Sequence, residues 1–153
     1  KFIESYPLFE ETVLLCVPAS SPVNKKCMEY ALSCEDIRND KYLDDSVKGI
    51  TLQVFKNEKF LMMKTGNSMN KHGFNLCQEA GFTPEVAIYF DQLMTAYNMT
   101  ASGLGICFVT DTLVKAVAPN NNLVYYKIDS EFAMRTVYLL HKKKRYLNQS
   151  LEL

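Results

Sequence analysis

Residues 60–111, FLMMKTGNSMNKHGFNLCQEAGFTPEVAIYFDQLMTAYNMTASGLGICFVTD, decide the fold of this chain. Three short apolar runs, at 60–63, 86–90 and 106–109, have the length of buried strands. Between and after them, apolar side chains recur three and four residues apart, which is the spacing of one helix face. Strands and helices that alternate through short connections form right-handed crossovers and a largely parallel sheet. The stretch therefore predicts an α/β fold.

Each predicted helix in this stretch has its own start or stop signal. Asn67 is a good N-cap for a helix that Gly81 ends, because glycine adopts the left-handed conformation that closes many helices. Asp91 is predicted to cap the next helix, which ends at Gly103. The dipeptide Thr110-Asp111 is predicted to cap a third helix.

Outside residues 60–111 the pattern is less regular. Strands are predicted at 11–17, 123–128 and 135–140, and short helices at 32–36 and from Arg145 onward. The rest of 24–50 has the polar, turn-rich composition of surface loops.

The composition is that of an ordinary soluble globular protein. The chain has 153 residues, 48% hydrophobic and 22% charged, which excludes an intrinsically disordered, collagen-like or disulfide-dense protein. Its 17 basic residues balance 17 acidic ones, so net charge gives no reason to expect binding to nucleic acid or to an anionic membrane. No apolar run reaches the roughly 20 residues of a membrane helix, and no pattern of a signal peptide is found.

The cysteines predict buried, reduced thiols, as in a cytosolic protein. Their number is odd and no pair forms C-x-x-C; they are Cys16, Cys27, Cys34, Cys77 and Cys107. A bridge or metal pair made by Cys27 and Cys34 stays open as an alternative. Because both histidines, His72 and His141, are remote from that pair in sequence, we expect no zinc site.

Polar capping residues follow all three strands of the central block, at 65–68, 90–92 and 110–111. Strand-to-helix junctions of a parallel sheet share its carboxyl edge, where open α/β sheets bind their ligands. Helix N-termini there present unpaired N–H groups and a partial positive charge, which suits a carboxylate. The same residue types also cap helices without binding anything, so both interpretations stay open.

Signals of catalysis are weak. The sequence contains no G-x-S-x-G, no H-E-x-x-H and no paired-cysteine metal signature. The run GLG at 103–105 follows a helix and precedes a strand, which is the reverse of a dinucleotide-binding motif. We therefore expect no enzyme activity, no cofactor and no metal.

The order of these features resembles the effector-binding domain of LysR-type transcriptional regulators. The motif FxxCxxAGFxP at 74–84 is followed by a strand that ends in Phe90-Asp91, a helix, and ASGLGIxFV at 101–109. This order is similar to the family's central block.

The outer parts of the chain extend the resemblance over nearly its whole length. PLFEETVLLCVP at 7–18 is similar to the family's strand that crosses between two subdomains, and 135–140 with KRxL at 144–147 to its returning strand and last helix. Two features of the family are missing from the sequence: a winged helix-turn-helix, and the strand, helix and strand that open the first subdomain.

The resemblance implies a fold like that of the type II periplasmic binding proteins, with mainly one α/β subdomain plus pieces of a second. Residues 20–124 would form the second effector-binding subdomain. Residues 1–19 and 125–153 would be crossing strands and remnants of the first. The chain is thus expected to be truncated at its N-terminus, with half of the ligand cleft outside it.

By the same resemblance, the chain is expected to be the ligand-sensing domain of a bacterial, cytoplasmic regulator that binds a small anionic metabolite between its subdomains. It would associate as a dimer or tetramer, contact DNA only through an N-terminal domain absent from this chain, and contact no membrane. A solute-binding protein of a transport system and an enzyme on the same scaffold are the alternatives. A helix-turn-helix, a signal peptide or a catalytic lobe upstream of Lys1 would distinguish the three.

The predicted effector site combines the junctions with the family's contact positions. Its residues are Lys64, Thr65, Gly66, Asn67, Ser68, Phe90, Asp91 and Thr110. Backbone N–H groups of the helix that starts at Asn67 would hold a carboxylate, and Lys64 would add a charge-assisted hydrogen bond. Asp91 would meet an amine or hydroxyl of the same ligand, or serve only as a helix cap.

Overall fold

A mixed sheet lies at the centre of the computed structural model, which describes the backbone of residues 3–142 and the side chains of residues 9–137. Its strands are β1 (Ile3–Pro18), β2 (Lys59–Met63), β3 (Glu85–Phe90), β4 (Ile106–Thr110), β5 (Leu123–Lys127) and β6 (Met134–Lys142). The first five lie in the order β3-β2-β4-β1-β5, and β6 pairs with β1. β2 is parallel to β3 and β4, whereas β1 is antiparallel to β4 and β5. The α/β class is confirmed, with one antiparallel strand inserted among strands that share a direction.

Helices flank the sheet. Within residues 3–142 the α-helices are α1 (Cys34–Arg38), α2 (Ser68–Glu79), α3 (Leu93–Ala101) and α4 (Asp111–Ala116). Short 3-10 turns occupy Pro22–Lys26, Met28–Tyr30, Lys41–Leu43, Leu52–Phe55 and Glu131–Ala133. No helix in this part of the chain has the length and apolar character needed to cross a bilayer.

The predicted ends of the helices are largely confirmed. The Asn67 side-chain oxygen accepts a hydrogen bond from the Met69 backbone N–H at 2.8 Å and so caps α2. Gly81 and Gly103 have φ angles of +95° and +89°, the left-handed conformation expected where α2 and α3 end. The Thr110 hydroxyl caps α4, again as predicted.

The position of β1 corrects the predicted division into subdomains. Residues 1–19 and 125–153 were expected outside the lobe formed by 20–124, yet residues 13–18 lie between β4 and β5 in the same sheet as β2. The side chains of 13, 15 and 17 pack in one core cluster, those of 14 and 16 pack in another, and all five are fully buried. A strand that is apolar on both faces needs cover on both, which a central place in the sheet provides. Residues 125–127 of β5 pair with β1 in the same sheet, and Tyr125 and Tyr126 are fully buried in its two core clusters, so their predicted place outside the lobe is wrong as well. For the other residues of 1–19 and 125–153, assignment to another subdomain stays a prediction.

The two core clusters lie on opposite faces of the sheet. One contains Met69 and Leu76 of α2, and the other contains Ile37 of α1 together with side chains of α3 and α4. Cys27 belongs to the first cluster and Cys34 to the second, so the alternative of a bridge between them is wrong. All five cysteines are buried and free, as predicted.

Beyond the sheet, β1 continues as one strand of a two-stranded antiparallel ribbon. The ribbon consists of residues 3–12 and β6, with pairs that run from Ile3 opposite Lys142 to Thr12 opposite Met134. β1 therefore changes partners at Thr12: up to this residue it pairs with β6, and after it with β4 and β5. We call Thr12 the pivot of β1. The short helix predicted from Arg145 onward lies outside the described residues.

Candidate functional site

The ends of β2 and β3 meet at one edge of the sheet. The Lys64 backbone N–H donates to the Phe90 carbonyl oxygen at 2.9 Å, and Lys64 Nζ lies 3.0 Å from Asp91 Oδ1. Both charged side chains are well exposed, and Phe90 is half-buried against both core clusters. The structure thus brings together three of the predicted site residues.

Asp91 does not cap a helix, so that part of the prediction is wrong. The N-cap of α3 is Gln92, one residue later, and its side chain makes no capping hydrogen bond. The Asp91 carboxylate is directed to Lys64 instead. Its expected contact with an amine or hydroxyl of the ligand stays a prediction.

The turn after β2 and the first turns of α2 form a shallow cleft. Its volume is about 400 Å³, and its lining residues are Thr65, Gly66, Asn67, Ser68, Asn70, Lys71, Phe74 and Asn75. Gly66 makes the turn possible, since its φ of +97° lies in the region that favours glycine. Asn70 Nδ2 donates to the Met63 carbonyl oxygen at 2.7 Å and thereby ties α2 to the end of β2. Four predicted site residues, 65–68, therefore share one cavity.

Thr110 does not line this cleft. Its side chain is buried, and its hydroxyl oxygen accepts a hydrogen bond from the Leu113 backbone N–H at 3.2 Å. Its place at the same edge was predicted correctly. In this structure its hydroxyl caps the N-terminus of α4.

Arg135 is a functional candidate that the sequence did not reveal. It lies at the base of β6, where its Nη1 donates to Ser68 Oγ at 3.2 Å and its Nε lies 2.9 Å from Glu11 Oε1. The Arg135 side chain is 24% exposed and that of Glu11 only 8%. A guanidinium group therefore stands beside the first residue of α2. The available signal was a lone arginine in an apolar strand pattern, but its partners are far away in the sequence.

Asp111 lies at its predicted place after β4, but its hydrogen-bond partners were not anticipated. Its Oδ2 accepts a hydrogen bond from the Tyr42 hydroxyl at 2.5 Å, and its Oδ1 accepts one from the Thr12 backbone N–H at 3.0 Å. Burial, with a further contribution from Asp111, raises the pKa of Tyr42 to about 12. The phenol is thus neutral at physiological pH and acts as a donor.

This edge brings together two cationic side chains, two carboxylates and one helix N-terminus. The guanidinium of Arg135, the ammonium of Lys64 and the N-terminus of α2 supply positive charge there. Glu11 and Asp91 balance the two side-chain cations. Across the described residues, no group of three or more His, Cys, Asp or Glu side chains could hold a metal ion.

Comparison with known proteins gives the family. A sequence model described as LysR substrate binding domain matches residues 3–153. The chain belongs to this family. The resemblance seen in residues 74–84 and 101–109 is thereby confirmed.

Relatives and solved structures agree with this membership. The chain is 26% identical over 147 residues to YcgK of Bacillus subtilis strain 168, an uncharacterised HTH-type transcriptional regulator, covering 93% of this chain and 42% of that protein. The BenM effector-binding domain with benzoate has a TM-score of 0.63 at 20% identity, over 99% of this chain and 61% of that one. The QuiR effector-binding domain with shikimate has a TM-score of 0.70 at 16% identity, with the same two coverages of 99% and 61%. The LysR substrate-binding domain therefore has the expected fold, that of the type II periplasmic binding proteins, and this chain spans less than two thirds of each of these proteins.

Proposed function

We propose that this LysR substrate-binding domain senses a small carboxylate effector at the edge formed by Lys64, residues 65–68, Phe90, Asp91 and Arg135, and performs no chemistry of its own. It would act within a cytoplasmic bacterial transcription regulator whose DNA contacts are made by a separate N-terminal domain. The observation that carries the proposal is the guanidinium of Arg135 against Ser68 at the start of α2.

Three kinds of donor converge at that point. The Arg135 guanidinium has five N–H donors, and the two described contacts, to Ser68 and Glu11, leave donors for a planar carboxylate. The Ser68 hydroxyl can donate to the same group, and the N-terminus of α2 adds backbone N–H groups and a favourable dipole. Such charge-assisted bonds are about twice as strong as neutral ones.

Lys64 and Asp91 extend the site across the end of β3. Their pair is well exposed, so a ligand can exchange with it at little loss of stability. A hydroxyl or amine of the ligand would find the Asp91 carboxylate, and a second anionic group would find Lys64. Thr110 would not contact the effector directly in this proposal, because its hydroxyl oxygen already accepts a hydrogen bond that caps α4.

A titration of the intact effector-binding domain with small acids tests the site, because half of the cleft is expected to lie outside this chain. Benzoate and shikimate, which two structural neighbours hold, are both carboxylates and make a reasonable first panel. We expect Ser68→Ala and Arg135→Lys to weaken binding of any acid that binds by about three- to tenfold, since each loses or distorts a hydrogen bond to the anion. Asp91→Ala should alter the preference among acids that differ in hydroxyl groups. The matched control is Ser102→Ala, an exposed serine at the end of α3.

Outcomes of this titration are clear-cut. Acid binding that is equal in wild type, Ser68→Ala and Arg135→Lys, with the fold retained by circular dichroism, would leave 65–68 as ordinary capping residues. The absence of binding across a broad panel of carboxylates would also contradict the proposal.

We also propose self-association as a dimer or tetramer. Within the described residues, β3 is an edge strand of the sheet, and its Ile88 and Tyr89 side chains are exposed. Exposed apolar groups on an open strand edge favour pairing with another chain. Light scattering at tens of micromolar should give a mass above that of the monomer, and a clean monomer would refute this part.

A further inference from the structure

Asp111 is a buried carboxylate that the proposed effector site does not use. It is 8% exposed and is the first residue of α4. Its Oδ1 accepts hydrogen bonds from the backbone N–H groups of Thr12 and Thr112, at 3.0 and 2.8 Å, and its Oδ2 accepts one from the Tyr42 hydroxyl at 2.5 Å. One side chain thus joins β1, α4 and the 3-10 turn that contains Tyr42.

The contact with Thr12 falls at the pivot of β1. Val13 opposite Thr110 is the last pair between β1 and β4, and Asp111 is the residue after that pair. There the backbone turns into α4, so the Asp111 carboxylate supplies the acceptor that the strand no longer offers. This hydrogen bond extends the contact between β1 and the β4–α4 segment by one residue, to Thr12, the ribbon residue that adjoins the sheet.

We infer that Asp111 is a positioning residue that fixes how the ribbon leaves the sheet, and with it the place of Arg135 relative to Ser68. Thr12 pairs with Met134, and its neighbour Glu11 pairs with Arg135, so a shift at Thr12 is passed on to Arg135. Asp111 holds the base of the ribbon from α4, and Ser68 holds it from α2 on the opposite face. The consequence for a bound effector rests on the proposed function, whereas the positioning role does not.

Nuclear magnetic resonance of the chain tests this role without any ligand. In Asp111→Ala we expect the Thr12 amide to exchange with deuterium at least about tenfold faster, because its acceptor is lost. The Arg135 Nε–H resonance should shift, and the amides of residues 14–16 should keep their protection. Asp111→Asn should restore both signals, since its amide oxygen still accepts from Thr12 and its NH₂ can donate to Tyr42.

A second variant covers the case in which Asp111→Ala does not fold. Tyr42→Phe removes one bond to the carboxylate and keeps the aromatic ring, so it should speed exchange of Thr12 by a smaller factor, about threefold. An unchanged Thr12 amide and an unchanged Arg135 signal in the variant that folds would overturn the inference. So would a failure of Asp111→Asn to restore them. Failure of the proposed function has a separate signature, unaltered acid binding in Ser68→Ala and Arg135→Lys.

Discussion

Two ion pairs stand at the same edge of the sheet with nearly the same separation and opposite surroundings. Lys64 Nζ lies 3.0 Å from Asp91 Oδ1, with side chains 60% and 76% exposed. Arg135 Nε lies 2.9 Å from Glu11 Oε1, with side chains 24% and 8% exposed. Judged by the N–O distance alone, the two ion pairs would be expected to contribute equally to stability.

The difference in solvent exposure gives the two ion pairs different roles. Water solvates both members of the exposed pair, so breaking it leaves no charge without a partner. Glu11 has little access to water, so the loss of Arg135 would leave its carboxylate buried and unpaired. The exposed pair is thus free to rearrange around a ligand, and the enclosed pair fixes the ribbon and its arginine in place.

The largest expected effect is that of Arg135→Ala on stability. Removing one partner of an enclosed pair should lower the free energy of unfolding by about 2–3 kcal/mol, somewhat below the range for fully buried pairs because Arg135 is partly exposed. Urea unfolding at pH 7, followed by circular dichroism, measures the change.

The double variant Glu11→Gln/Arg135→Ala is the control for this interpretation. It removes the unpaired negative charge of Glu11, so it should recover part of the stability lost in Arg135→Ala. A double variant no more stable than Arg135→Ala would mean that the arginine acts through packing rather than charge.

An intermediate effect is expected in alkali at a second enclosed contact, the hydrogen bond of Tyr42 with Asp111. Because the pKa of Tyr42 is raised to about 12 by burial and by Asp111, the unfolded chain, with a tyrosine pKa near 10, releases this proton first. The contribution of Tyr42 to stability is therefore present below about pH 10 and is lost as the pH rises toward about 12. The loss of this contribution between about pH 9 and pH 11 should be about 1 kcal/mol.

Thermal unfolding across that pH range checks the prediction in Tyr42→Phe. Burial also raises the pKa values of Tyr125 and Tyr126, so wild type loses stability in alkali for several reasons. Tyr42→Phe should lose less than wild type, and Tyr89→Phe, which removes an exposed phenol, serves as the matched control. Parallel profiles for wild type and Tyr42→Phe would contradict the assignment.

The smallest effect is expected for the exposed pair. Lys64→Ala should change the free energy of unfolding by no more than about 0.5 kcal/mol, and molar salt should abolish even that difference. Salt should leave most of the Arg135→Ala effect in place. A salt-insensitive loss above 1 kcal/mol in Lys64→Ala, roughly the upper limit for an exposed pair, would remove the distinction between the two pairs.

Sequence reasoning succeeded where the signal is local. The cap at Asn67 and the stops at Gly81 and Gly103 depend on residues within a few positions of one another, and the structure confirms each of them. The same holds for the lengths of β2, β3 and β4, whose apolar runs were bounded by turn residues. Asp91 failed as a cap because α3 begins one residue later than the pattern indicated, with Gln92 at the N-cap.

Long-range pairing explains what was missed. The place of residues 13–18 between β4 and β5 depends on partners from the other end of the chain, which a pattern of apolar residues does not specify. The contacts of Arg135 with Ser68 and of Asp111 with Thr12 are equally distant in sequence. Of the candidate site, the turn at 65–68 could be predicted, and the arginine beside it could not.

The central place of β1 also bears on how the chain matures during synthesis. β1 is made before the other described strands, and both strands that flank it in the sheet, β4 and β5, are made much later. Pairing between such distant segments is slow, and an apolar strand that waits for its partners is exposed to wrong ones. Until β5 emerges from the ribosome, residues 13–17 lack one of their two partner strands, and unpaired apolar strands of this kind are prone to aggregate.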